Sequence, residues 1–378
     1  MQRKLTILAC LFFCANCFAQ QYPFVYYTPR DGLVNSRVRA IKQDSRGRML
    51  FITYGGISVY DGTHFTNYSK QDGLGENLVN DAIEISPDSL LISTNTTILN
   101  TLVNGKIGVY QTVDHFCPIV NRFFKSQAGD WYVAADEGLF LLSGKKFVRL
   151  PLVYQGYDIK FLDRILQWKN FFLISIWNPE NRQKLILYDQ LNRKVLDVDT
   201  KNSVYNFAQD KKGRIWISCN DKIMLVDTTA LKNGRISYLP LPAKYNGLLQ
   251  DNSFISFDDA NNLWLYARSR VVKISADFQK QVFSGEQGLK TTSLSDLFID
   301  KEGIAWFASD GGGIVKIRNA NIELLDDHPA TATTTQNDTV WFSSNNIIYR
   351  AFQNERKSFV LPKPQLGVGT LYTHNQKL

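Results

Sequence analysis

Apolar and polar positions alternate along the chain in short runs, broken by polar turns, and the runs return in a fixed order. "VRAIKQD" (38–44) alternates as a half-buried strand does, and "DSRG" (44–47) is a tight turn. "MLFIT" (49–53) is a second strand, "ISVYD" (57–61) a third after the Gly55-Gly56 turn, and "HFTNY" (64–68) an outer fourth. In the first turn, Asp44 is expected to accept turn N–H groups and Gly47 to take positive φ. The phrase returns as "DKKGRIW" (210–216), "DDANNLW" (258–264) and "DKEGIAW" (300–306), with "SQAGDWY" (126–132) one residue shorter. Almost nothing along the chain reads as a helix.

Aligned on the large residue of the second strand, the units fall at Leu50, Leu91, Trp131, Phe172, Trp216, Trp264, Trp306 and Trp341, in steps of 35 to 48 residues. That period with short strands matches the four-stranded blade of an all-β propeller. The large residue is expected to pack between neighbouring blades, where it buries most area. The strand "FVYY" (24–27) precedes the first inner strand, so it is expected to complete the last blade and close the ring. Seven repeats end near Arg318, which predicts a seven-bladed propeller over 20–325. An eighth follows in "TATTTQNDTVWFSSNNIIYRAF" (331–352) and a ninth begins at "GVGTLYTHNQKL", making 326–378 the start of a second, truncated propeller. A single eight-bladed ring is the alternative.

A second phrase joins the blades: "FVYYTPRDGL", "FTNYSKQDGL" and "VFSGEQGL", with a looser "AKYNGL" at 243–248. An aromatic outer strand, a Gly-Leu link, an inner strand, Asp-x-x-Gly and a Trp together resemble the two-component regulator propeller repeat. The resemblance covers about 22–378 and is strongest in the first, fifth and seventh repeats. It implies a ligand-sensing input domain of a Bacteroidetes sensor histidine kinase or hybrid two-component system, located in the periplasm. It also implies a second propeller, a membrane segment and a histidine kinase downstream, and an oligosaccharide as the class of ligand.

The N-terminus agrees with export. Arg3 and Lys4 precede an apolar core from Leu5 to Phe13, with Cys17 and Ala19 at the small-residue cleavage positions, so 1–19 reads as a signal peptide. Three of the five cysteines leave with it, and Cys117 and Cys219 read as two buried free thiols, too few for a disulfide scaffold. Of the formal net charge of +8, loss of Arg3 and Lys4 leaves +6, scattered without a basic run. Nucleic acid is therefore not an expected partner, and a mild preference for anions is the most this charge supports.

Catalytic constellations are not evident. His64, His115, His328 and His374 lie far apart in separate blades without metal-ligand spacing, so no metal, cofactor or enzymatic activity is expected. The recurring Asp44, Asp210 and Asp300 read as turn chemistry, and "DGGGIVKI" (310–317) links strands without opening a phosphate-binding helix. In a propeller, inner strands start and second strands end around one mouth of the central channel. The residues expected there are Arg37, Tyr54, Asn77, Asn95, Arg122, Trp177, Asn206, Asn220, Asn252, Arg268 and Asp310. Aromatic plates with Asn and Arg donors suit a sugar or a polar anion. The alternatives are a secreted lyase or glycosidase, which would need a pair of carboxylates or a His with a carboxylate where the mouth offers Asp310 with Asp136 or Asp221, and a protein-interaction scaffold; a homodimer is a further partner considered.

Overall fold

Each repeated phrase folds into a turn organised by its aspartate. Asp210 Oδ1 accepts the backbone N–H groups of Lys212 (3.0 Å) and Arg214 (2.9 Å), while Oδ2 accepts the Trp216 indole N–H at 2.9 Å. Asp258 and Asp300 hold Trp264 and Trp306 in the same way, at 2.9 and 2.8 Å. In the first blade Leu50 has no such donor, and the Arg48 guanidinium takes Asp44 Oδ2 instead, at 2.7 Å. Gly47, Gly213 and Gly303 take φ between +77° and +85°, and Asn261 takes +62° at the same step. Burial alone would raise the Asp210 pKa, but its bonds to Trp216 and Arg214 outweigh that and hold it below the ordinary value. The aspartate therefore ties the first-to-second strand turn to the aromatic residue that packs the blade.

The computed structural model describes residues 22–177, 184–219, 222–245, 254–291, 293–317, 330–336, 339–344, 347–352, 355–360 and 371, so the predicted leader over 1–19 lies outside the described residues. The chain divides into a unit of Pro23–Asn321 and a unit of Met1–Tyr22 with Ile322–Leu378. In the larger unit, seven four-stranded antiparallel sheets follow one another. Their inner strands are Val38–Gln43, Val79–Ser86, Val120–Lys125, Leu162–Trp168, Val204–Gln209, Phe254–Phe257 and Leu294–Ile299. Each packs on the next blade in order, and the seventh returns to the first. As expected, Phe24–Tyr27 pairs with Gly313–Ile317 and supplies the outer strand of the last sheet, with Phe24 opposite Ile317 and Tyr27 opposite Ile314. An extra hairpin, Val153–Tyr154 with Tyr157–Asp158, separates the third and fourth blades. In the other unit, Ala332–Gln336, Thr339–Ser344, Ile347–Phe352 and Glu355–Val360 form one further four-stranded sheet.

The core lies between blades. Leu50 and Ile52 of the first blade pack on Leu90 and Ile92 of the second, and Trp216 packs on Leu263 and Leu265 of the sixth. At two blades the aligned core residue is displaced by one position. Ser126 stands where the aspartate stands elsewhere, its Oγ accepting Asp130 N–H at 3.1 Å, and six residues on comes Tyr132. Tyr132 faces the fourth blade, whereas Trp131 is half-buried beneath Lys125. In the fourth blade Leu173 faces forward and Phe172 faces back. Side chains alternate along a strand, so a one-residue offset exchanges the two faces.

The Gly-Leu links are short 3-10 turns, Pro29–Asp31 and Lys70–Asp72, closed by reciprocal caps from Thr28 to Asp31 and Ser69 to Asp72. Leu33, Leu74 and Leu289 then bury themselves at the blade seam.

A β-bulge interrupts the inner-strand register in six blades, at Val38/Ala40, Val79/Asp81, Val120/Arg122, Leu162/Ile165, Val204/Asn206 and Leu294/Asp296. A bulge turns successive side chains away from strict alternation. Here the polar pair at the bulge links neighbouring blades. Asn80 donates to Val120 O (3.1 Å) while Asp81 accepts Phe123 N–H (2.9 Å). Ser295 donates to Val38 O (2.5 Å) while Asp296 accepts Ile41 N–H (2.9 Å).

Candidate functional site

At the mouth where inner strands start, one backbone hydrogen bond repeats in five blades. The residue after the second strand donates to the residue before the inner strand: Tyr54 to Arg37 (3.1 Å), Asn95 to Leu78 (3.0 Å), Asp136 to Ile119 (3.1 Å), Trp177 to Phe161 (2.6 Å) and Asp310 to Ser293 (2.8 Å). Tyr54, Asn95, Trp177 and Asp310 thus hold equivalent places. Three of the expected residues meet directly. Arg37 Nε lies 2.6 Å from Asp310 Oδ1, and its guanidinium sits 4.1 Å from the Tyr54 ring centre, joining the first and seventh blades. The ion pair is solvent-exposed, so it contributes little to stability. Trp177 is 54% exposed beside the exposed Phe161, the more accessible of the two aromatic residues at this place.

Other expected residues serve the backbone. Asn77 Oδ1 accepts Lys70 N–H at 2.8 Å, and the exposed Arg268, at φ +48°, offers its carbonyl to Leu294 N–H at 2.7 Å. Arg122 and Asn206 sit deeper than the mouth, because both follow a bulge. Arg122 enters the channel and Asn206 is buried, its Oδ1 accepting Ile255 N–H at 3.0 Å. Asn220 and Asn252, like Asp221, lie outside the described residues. Asp136 is engaged by Asn121 Nδ2 at 2.8 Å.

Sequence reasoning did not single out the channel itself. A cavity of about 570 Å3 lies between the middles and far ends of the inner strands, lined by residues of six blades. Lys42, Lys125, Arg122 and Arg164 line it, with Asp81 and Asp296. Lys42 Nζ is 2.5 Å from Asp81 Oδ1. Burial works against the Arg122 proton, yet Asp81, Asp163 and Asp296 raise its pKa above the ordinary value. Arg39, above it, donates to Asn80 Oδ1 at 2.7 Å, and burial, then Arg122, lowers its pKa. Burial raises the pKa of Asp296 despite Arg164 and Arg122, and Tyr266 bonds to it at 3.4 Å.

An acid with a raised folded pKa binds its proton more tightly in the native state, so stability falls as pH rises from the unfolded value through the folded one. Asp296→Asn removes that dependence. Its stability relative to wild type is expected to increase with pH from the usual carboxylate range upward and then level off. Urea midpoints of both proteins across that range check the trend, and parallel curves would contradict it.

Among the described residues, no cluster of three or more His, Cys, Asp or Glu is arranged to hold a metal ion, and no helix is long and apolar enough to cross a membrane. Burial pushes the thiols of half-buried Cys117 and buried Cys219 up, to about 12 and about 11, so both stay protonated at neutral pH.

Residues 200–221, which hold an inner strand, the Asp210 turn and the Trp216 strand, match the family model for the two component regulator propeller. The chain carries a regulator propeller repeat. Among curated protein sequences no relative matches. In solved structures, this chain is similar to the extracellular domain of a putative hybrid two component system from B. thetaiotaomicron, at 18% identity and a TM-score of 0.66 over 91% of this chain and 50% of that one. PorZ, a surface component of the type-IX secretion system of Porphyromonas gingivalis, follows at 13% and 0.59, over 90% and 56%. A virginiamycin B lyase from Staphylococcus aureus is similar at 14% and 0.56, over 78% and 98%. At such identities the likeness establishes the propeller fold. The chain spans about half the length of the two-component structures it matches.

Proposed function

We propose that this chain is the front part of the periplasmic input region of a two-component regulator, which binds an oligosaccharide and catalyses nothing itself. The observation that carries this reading is the regulator propeller repeat at 200–221, within a fold that follows extracellular two-component domains along 91% of the chain. The further sheet over Ala332–Val360 is the first blade of a second propeller. That reading agrees with the chain's spanning half of those structures. A histidine kinase beyond it is the partner, and the ligand acts by favouring one arrangement of the input region over another.

The saccharide stacks on Trp177 and Phe161 at the fourth-blade edge of the inner-strand mouth, and Arg37 and Asp310, across the mouth at the first and seventh blades, supply hydrogen bonds to its far end. An exposed aromatic face is the usual platform for a sugar's C–H surface, with few polar groups fixing its orientation. Titration of the full chain with a panel of plant and host oligosaccharides tests this. One member should bind, and Trp177→Ala should weaken it at least tenfold while shifting stability by less than about 0.5 kcal/mol, as surface changes do. Binding unaffected by that change would move the saccharide away from the mouth, and turnover of the sugar would return the lyase reading.

A further inference from the structure

The channel cavity is separate from the mouth, and two of its cations are not fully used by the fold. Asp81 and Asp296 are engaged, each accepting a backbone N–H of the next blade. Arg122 and Arg164 are different. Their neighbouring carboxylate oxygens stand at 3.6 to 3.8 Å, beyond hydrogen-bond distance: Arg122 to Asp81 and Asp163, and Arg164 to Asp163. Among the described residues, neither guanidinium makes a hydrogen bond, although the Arg122 side chain is only 18% exposed. A guanidinium presents a planar fork of donors, and here both groups line the cavity without a hydrogen-bonded partner among the described residues. The cavity lining holds four cations against two carboxylates, and its volume of about 570 Å3 falls within the range of small-molecule sites.

We infer that the central channel is a second ligand site, which takes a small polyhydroxylated carboxylate of the sugar-acid type. The carboxylate meets the forks of Arg122 and Arg164, in the two-bond geometry that suits planar anions. Its hydroxyls meet the remaining polar lining, Gln209 among it, and Phe207 offers an apolar wall. Blade-bridging polar side chains explain the aspartates. They do not explain two arginines from adjacent blades that line the cavity without a hydrogen-bonded partner, although Arg164 also lies over the Phe254 ring.

The test is titration calorimetry of the full chain, at neutral pH and fixed ionic strength, with D-gluconate and D-sorbitol as probes. The two differ by a carboxylate in place of a CH2OH group. Gluconate should bind and sorbitol should not. Arg164→Gln should weaken gluconate about tenfold or more, and Arg164→Lys less, since it keeps charge but loses the fork. Trp177→Ala should leave gluconate binding unchanged, so failure of the mouth reading and failure of this one are separable. Equal binding of sorbitol, absence of gluconate binding, or a gluconate affinity that survives Arg164→Gln would each overturn the inference. Should Arg164→Gln fail to fold, Arg122→Lys decides in the same assay.

Discussion

Trp306→Ala is expected to lower the unfolding free energy of the ring by about 4 kcal/mol, in the range of large aromatic-to-alanine changes in cores. Trp306 is 2% exposed, and its ring packs against Tyr27, Phe51 and Tyr60 at centre distances of 6.1, 5.7 and 6.1 Å. These partners belong to the closing strand and the first blade, so the loss falls on the seam that completes the ring. The change also strips Asp300 Oδ2 of its indole donor, and a buried carboxylate oxygen without its partner adds to the cost. Trp306→Phe keeps most of the apolar contact but not the donor, and should fall between. Urea unfolding followed by circular dichroism ranks the three, with Trp131→Ala as a reference. Trp131 is half-buried and displaced from the seam position, so its loss should cost less than half as much. Equal effects at Trp131 and Trp306 would contradict the assignment of faces.

Gly56→Ala is the second large expected effect, about 3 kcal/mol. Gly56 has φ +133°, and a Cβ there would lie 2.2 Å from the Tyr68 carbonyl oxygen on the neighbouring outer strand. Backbone cannot retreat as a flexible side chain can, so the first blade must open. Gly62→Ala separates the two causes. Gly62 has φ +105° and no heavy atom within 4 Å of its added Cβ, so it should cost only the backbone part, about 1 to 2 kcal/mol. If both variants lose the same stability, steric approach of the outer strand is not what selects glycine at Gly56.

Much of the fold could be read before any coordinates. The Asp-x-x-Gly turn followed by an aromatic residue located most second strands, because turn chemistry and a large apolar side chain both leave marks in sequence. The Gly-Leu phrase located the links for the same reason. Trp131 and Phe172 were misplaced where that mark weakens. Ser126 replaces the aspartate in one blade, and the other lacks the turn phrase. Spacing from Ser126 would have found Tyr132.

The bulges were invisible because alternation assumes one residue per step, and an inserted residue looks like ordinary sequence. That is why Arg122 and Asn206 were expected at the mouth, whereas Arg122 lines the channel and Asn206 is buried in a link to the next blade. The channel cluster itself leaves no motif. Its members come one or two at a time from inner strands forty or more residues apart, and only closure of the ring brings them together.

The pairing of Phe24–Tyr27 with Gly313–Ile317 sets an order of events during synthesis. The first strand to leave the ribosome finds its neighbour only after nearly three hundred further residues have been made. Every earlier blade can form by local pairing while the nascent chain lengthens, but the circle stays open like an unfastened bracelet. Its two free rims expose unsatisfied backbone to any other extended chain during that interval. Chaperone protection before the last blade emerges therefore matters more here than for a fold whose first element pairs with its second, and fastening the clasp is the step that ends the need for it.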